Sequence, residues 1–163
     1  MLQKIWIKQF RNLKELVISF DHSQNYIILG RNNQGKTSFL EAIYCLANGK
    51  SPVDSDLSHV VSFDSKEMVL GGDFHLDSDQ SHRVYFKVDS TAKKYMSVND
   101  VFVRRRAQLN QLPSTQYLSA DIIQLMMGSP QIRRKDLDQF CCRIYSEYAA
   151  ILKRYSDIVR QKG

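Results

Sequence analysis

The chain has 163 residues but only three prolines, seven glycines and three cysteines. So little proline and glycine excludes collagen-like and low-complexity chains. The cysteines, Cys45, Cys141 and Cys142, are odd in number and lack CxxC spacing, which excludes a disulfide scaffold and a zinc ribbon. They fall within apolar helical patterns and are expected to be buried free thiols. Long hydrophobic runs are also missing, since no stretch approaches the roughly 20 apolar residues that cross a bilayer. The first residues, Met1-Leu2-Gln3-Lys4-Ile5-Trp6, alternate apolar and polar and lack the continuous apolar core of a signal peptide. A cytoplasmic protein with no membrane partner is expected.

Hydrophobic residues make up 43% of the chain and charged residues 25%, the balance of an ordinary globular domain. Lys and Arg number 23 against 17 Asp and Glu, a formal charge of +6. That surplus admits an acidic partner such as nucleic acid without identifying one. Its distribution is uneven, with an acidic middle from about residue 53 to 101 between basic flanks.

The order of patterns suggests an α/β fold. Leu2 to Ile7 and Glu15 to Phe20 alternate as strands, and Tyr26-Ile27-Ile28-Leu29 reads as a third, nearly continuously apolar strand. Turn chemistry at Arg11-Asn12 and across Asp21 to Asn25 separates them. From Lys36 to Ala47 the residues Phe39, Leu40, Ile43, Tyr44 and Ala47 recur at helical spacing, and Asn48-Gly49 supplies a stop. The middle, from about Ser51 to Val103, predicts a β-meander with strands near Met68 to Leu70, Arg83 to Val88 and Tyr95 to Val98. From Ser129-Pro130 onward, one wide apolar stripe from Leu137 to Val159 predicts a single long amphipathic helix, with Ser129 as its N-cap.

Gly30-Arg31-Asn32-Asn33-Gln34-Gly35-Lys36-Thr37 fits G-x-x-x-x-G-K-[ST] and lies between an apolar run and a helix, the context in which the pattern is credible. The glycines let successive backbone N–H groups turn inward around phosphate oxygens at a helix N-terminus. Lys36 would place charge on the β/γ-phosphates and Thr37 a hydroxyl on Mg²⁺. Hydrolysis also needs an acidic residue ending a buried strand, yet four apolar residues followed by Asp-Glu occur nowhere in the sequence. The nearest segments, Val60 to Asp64 and Met68 to Asp73, lack the following Glu. Small nucleotide kinases and GTPases usually carry this loop after their first strand, whereas two further strands precede it here. That order favours an ABC-type head, a P-loop NTPase with an N-terminal antiparallel layer beside the nucleotide.

Three segments in this order resemble the RecF family, ABC-type ATPases of bacterial DNA repair related to the heads of SMC and Rad50 proteins. They are Ile7-Lys8-Gln9-Phe10-Arg11-Asn12-Leu13, then Gly30 to Thr37 continuing as Ser38-Phe39-Leu40-Glu41-Ala42-Ile43-Tyr44, and Gly128-Ser129-Pro130-Gln131-Ile132-Arg133-Arg134-Lys135-Asp136-Leu137-Asp138. The resemblance implies an ATP-dependent clamp on single-stranded, gapped or junction DNA, with RecO and RecR as partners, recombinase loading as the outcome and two heads dimerised by ATP. It makes Arg11 either a phosphate contact or a solvated turn arginine. It also makes Gln116, before Tyr117-Leu118-Ser119-Ala120-Asp121, either a Mg²⁺-sensing residue or an ordinary surface glutamine.

Family members run to about twice this length, at typical domain sizes, and carry a Leu-Ser-Gly-Gly-type signature, an Asp-Glu metal site and a switch histidine that this sequence does not contain. Where the family continues with Phe-Arg, this chain has Pro52-Val53-Asp54. The expectation is therefore an incomplete head, residues 1–128, followed by the start of a helical arm lobe, 129–163. ATPase activity is expected only of a complete dimeric protein. The alternatives are a non-catalytic ATP- or DNA-binding fragment and a small P-loop kinase. Arg104-Arg105-Arg106 and Arg133-Arg134-Lys135 are the densest basic runs, DNA-contact candidates that could equally be solvated faces. The second run falls in a first helical turn, where the dipole disfavours cations. Tyr145, Tyr148 and Tyr155 lie on the apolar stripe and are expected in a core rather than as a base-stacking platform.

Overall fold

The computed structural model describes residues 1–21, 25–76, 80–105, 108–109, 112–119, 129–145 and 147–162. The chain forms two compact units, Met1–Tyr117 and Leu118–Gly163.

In the first unit the alternating segments become a hairpin, β1 (Leu2–Phe10) and β2 (Leu13–Ser19), in register Ile5 with Ile18 and Lys8 with Glu15. The meander follows as β3 (Glu67–His75), β4 (Ser81–Asp89), β5 (Lys94–Val98) and the short β6 (Val101–Phe102). All six form one antiparallel sheet in the order β2-β1-β3-β4-β5-β6. β3 and β4 extend past their apolar cores because a ladder pairs polar ends as readily as apolar middles, here Glu67 with Asp89 and His75 with Ser81.

Helix α1 (Lys36–Asn48) covers one face of the sheet. Its Phe39, Ala42, Cys45 and Leu46 share a buried core with Ile5, Ile7, Leu70, Val84, Phe86 and Val88. Gly49 ends the helix in the left-handed conformation (φ 61°), its N–H donating to the Cys45 carbonyl at 2.8 Å. Burial pushes the Cys45 thiol well above its usual range, with the nearby Glu41 acting in the same sense.

The predicted strand at Tyr26-Ile27-Ile28-Leu29 does not join the sheet. Ile27 is 83% and Leu29 87% exposed, and among the described residues no strand pairs with this run. Apolar β-forming character is local, whereas a strand exists only with a ladder partner. Tyr26 instead packs edge-on to Phe20, ring centroids 5.1 Å apart. With Leu2, Ile18, Phe39 and Ile43 it lines an apolar cavity of about 370 Å³.

The second unit corrects the single long helix. Two helices form, α2 (Pro130–Ile144) and α3 (Tyr148–Lys162), separated where Tyr145 turns extended (φ −110°, ψ 112°). Ser129 precedes α2 in extended backbone but makes no side-chain capping bond, and Pro130 takes the first turn as expected. Tyr145 and Tyr155 are 61% and 65% exposed, so they are not core residues of this unit. The Tyr148 hydroxyl donates to Asp138 at 2.7 Å, which raises its pKa to about 12. Cys45 is the buried thiol, while Cys141 and Cys142 are half-buried, and all three are free.

Candidate nucleotide site

The loop from Gly30 to Thr37 runs into α1, with residues 30–34 exposed and Gly35 buried. Asn33 (φ 62°) and Gly35 (φ 85°) both adopt left-handed backbone, the conformation from which anion-binding nests of successive N–H groups are built. Glycine suits position 35, because φ 85° strains any side-chain-bearing residue and a Cβ would fall 2.6 Å from Leu13 Cδ2, which would have to move, and 3.3 Å from the Asn12 amide. Gly35 is also the N-cap of α1 and offers no side-chain bond to the first turn, which carries no acidic residue. The leading N–H groups of α1 therefore have neither a side-chain cap nor an intrahelical acceptor, and the dipole adds positive potential there. The Lys36 ammonium donates to the carbonyls of Gly30 (2.8 Å) and Arg31 (2.6 Å), folding over the start of the loop. Thr37 is exposed, and among the described residues its hydroxyl makes no hydrogen bond.

Behind the loop stands a polar cluster that sequence reasoning did not assign. Glu41 is charged yet 2% exposed on the core face of α1. Its Oε2 accepts from Arg11 Nε at 2.5 Å, and its Oε1 accepts from Arg11 Nη2 at 2.9 Å and from the Ser51 hydroxyl at 2.6 Å. The pairing holds the Arg11 guanidinium more firmly protonated than usual, through the hydrogen bond to Glu41 first and the carboxylate charge after it. Arg11 is thus part-buried, with its guanidinium engaged by Glu41. A carboxylate on the buried face of an apolar helix was the available signal, since such a group is almost never buried without a partner.

Asn12, next along the same turn, donates from Nδ2 to the Asn33 carbonyl (3.3 Å) and accepts at Oδ1 from the Ser38 hydroxyl (2.8 Å). Arg11 itself sits at φ 50°, its N–H donating to the Val60 carbonyl (2.7 Å) and its carbonyl accepting from the Ser62 hydroxyl (2.5 Å).

The remaining sequence candidates are scattered. Gln116 is exposed in the irregular stretch that brings Tyr117 edge-on to Tyr44 of α1, ring centroids 6.1 Å apart. Arg104 and Arg105 are exposed just after β6, their N–H groups donating to the Gln108 side-chain carbonyl at 2.7 and 2.9 Å. Arg106 lies outside the described residues, as do Ala120 and Asp121. Arg133 and Arg134 are exposed in the first turn of α2. Of the two near-matches to an acidic strand end, Asp64 lies in a turn and Asp73 pairs with Arg83 at 2.9 Å.

A glycine-built loop feeding an uncapped helix against an antiparallel sheet defines a P-loop nucleotide-binding head. The family model for the AAA ATPase domain matches residues 1–142, and the chain belongs to that family. It is similar to the DNA replication and repair protein RecF of Streptococcus pneumoniae (strain CGSP14), 32% identical over 99% of this chain and 44% of that protein. RecF of Clostridium kluyveri is 31% identical over 94% of this chain and 42% of its own length. A solved structure of the recombination mediator protein RecF with ATP superposes with a TM-score of 0.83 at 29% identity, covering 96% of this chain and 42% of that one. An SMC ATPase studied for ATP-driven dimerization shares the fold, with a TM-score of 0.67 at 21% identity over 85% of this chain and 98% of that one. The fold is that of the ABC-type heads, and the chain spans under half the length of the curated relatives it matches.

Proposed function

We propose that this chain is the phosphate-cradling part of a RecF-like ATPase, binding Mg·ATP at residues 30–37 and acting on DNA in replication and repair. The carrying observation is the loop itself. Left-handed backbone at Asn33 and Gly35, an uncapped α1 and Lys36 converge where a triphosphate's negative charge would be bound, in a chain similar to RecF over nearly all its length. Thr37 suits the Mg²⁺ that accompanies such a nucleotide, because its hydroxyl is exposed on the first turn and uncommitted among the described residues. A Mg²⁺ held there would supply charge neutralisation for the nucleotide phosphates. Gln116 and Arg11 are the further candidates for the metal and the phosphates.

The same reading takes single-stranded, gapped or junction DNA, RecO and RecR as partners of the whole protein. It takes nucleotide-driven pairing of two heads as the step that completes the site. A second reading, binding without turnover by this chain alone, is favoured by the engagement of Asp73 with Arg83, which leaves the nearest acidic strand residue committed elsewhere.

Calorimetry of Mg·ATP binding tests the proposal. Lys36→Ala should abolish measurable binding while the thermal midpoint without nucleotide stays within a few degrees, because the residue sits at the part-exposed first position of α1. ATP affinity unchanged by Lys36→Ala would overturn it.

A further inference from the structure

We propose that Glu41 is a positioning residue for the nucleotide loop, acting through Arg11 on the turn that carries Asn12, so that Asn12 fixes the Asn33 carbonyl and Ser38. The inference rests on the nucleotide-loop reading above and deepens it. Arg11 at φ 50° occupies a region that side-chain-bearing residues rarely adopt, and such strain persists only where surrounding contacts over-determine it. Those contacts are present on every side of the residue. Val60 and Ser62 hold its backbone, and Glu41 holds its guanidinium by two hydrogen bonds.

The reward of that conformation falls on the next residue. With Arg11 locked, the Asn12 amide reaches the P-loop on one side and the first turn of α1 on the other, and it lies 3.3 Å from where a Cβ on Gly35 would fall. Asn33 is a left-handed residue of the loop, so a bond to its carbonyl sets the tilt of the peptide that follows it. Glu41 accepts a third bond from Ser51, which ties the stretch after α1 into the same cluster. One buried carboxylate therefore joins the β1–β2 turn, the phosphate loop and the segment beyond the helix.

A double-mutant cycle on the whole chain tests the proposal, with Mg·ATP affinity measured by calorimetry for wild type, Asn12→Ala, Glu41→Gln and the double variant, and Lys36→Ala as control. Glu41→Gln keeps the shape and an acceptor for Ser51 but removes the charge that grips Arg11. Each single change should weaken binding about tenfold, the scale of one hydrogen bond. The double variant should bind no more than about twofold worse than either single one, because both act through one turn. Glu41→Asp, combined with wild-type Asn12, should bind within about threefold of wild type if its shorter carboxylate still reaches Arg11. A merely structural role for Glu41 would lower thermal stability with additive effects on affinity, and additivity overturns the proposal. Wild-type affinity in Glu41→Gln while Lys36→Ala fails to bind also overturns it and leaves the nucleotide reading standing. Absence of ATP binding in wild type overturns both.

Discussion

Asp54 precedes the 3-10 turn Leu57–Val60 that follows the P-loop helix and His59 lies within it, the imidazole Nδ1 2.7 Å from the Asp54 carboxylate. The hydrogen bond to Asp54 is the largest influence on His59 and raises its pKa, while the bond to His59 is the largest influence on Asp54 and lowers its own. The two signs define a pH window. A raised histidine contributes fully below its unfolded pKa and is lost as pH climbs through the folded one. A lowered aspartate contributes fully above its unfolded pKa and is lost as pH falls through the folded one. The pair is therefore complete between about pH 4 and about pH 6.5, from the ordinary values of the two groups. In an NMR titration the His59 midpoint should lie above the ordinary value, and Asp54→Asn should bring it down. An unchanged midpoint in Asp54→Asn would show that the pair does not form in solution. At this scale the sequence is least informative, because Arg11 and Glu41 lie 30 positions apart and only the fold joins them.

Elements follow from periodicity when their partners are near in sequence. The β1–β2 hairpin and the β3–β4–β5 meander were legible in alternation because each strand's neighbour is its successor or sits across one insertion. Tyr26 to Leu29 was misjudged because an apolar run carries no information about whether a ladder receives it. The α2–α3 break was missed for a different reason, since the apolar stripe continues through Tyr145 while backbone at that residue leaves the helix. Gly71 in β3 shows what a sequence glycine can mean inside a strand. It pairs with Trp6 and Tyr85, and a Cβ there would fall 2.0 Å from the Trp6 indole. Gly71→Ala should displace the indole and destabilise the first unit by about 1–3 kcal/mol, as overpacking does. Trp6 is the chain's only tryptophan, so its fluorescence reports this site alone during urea unfolding. An unchanged emission maximum and midpoint would mean that the indole does not lie over the glycine.

Across the whole molecule, surface cations divide into those with carboxylate partners and those without. Arg83 is bound to Asp73 and Lys87 to Glu67 on the sheet, so two basic residues of the acidic middle are already neutralised locally. Arg104 and Arg105 differ, since both are exposed and among the described residues no carboxylate pairs with either. The bonds from their backbone N–H groups to Gln108 hold the chain after β6 in a fixed turn, which presents two charges without committing them. The P-loop was legible because all its chemistry is local. A DNA surface is not, because its test is whether charge remains unpaired after folding. If Arg104 and Arg105 contact phosphates, the double variant Arg104→Glu with Arg105→Glu should weaken binding of single-stranded DNA. Each lost contact should also flatten the plot of log affinity against log salt by about 0.7 through reduced counterion release. Mg·ATP affinity should be unchanged, because neither residue belongs to the loop from Gly30 to Thr37. Weaker DNA binding with an unaltered salt slope would mean that the substitutions disturbed the turn after β6 rather than removed phosphate contacts, and would exclude both arginines from the interface.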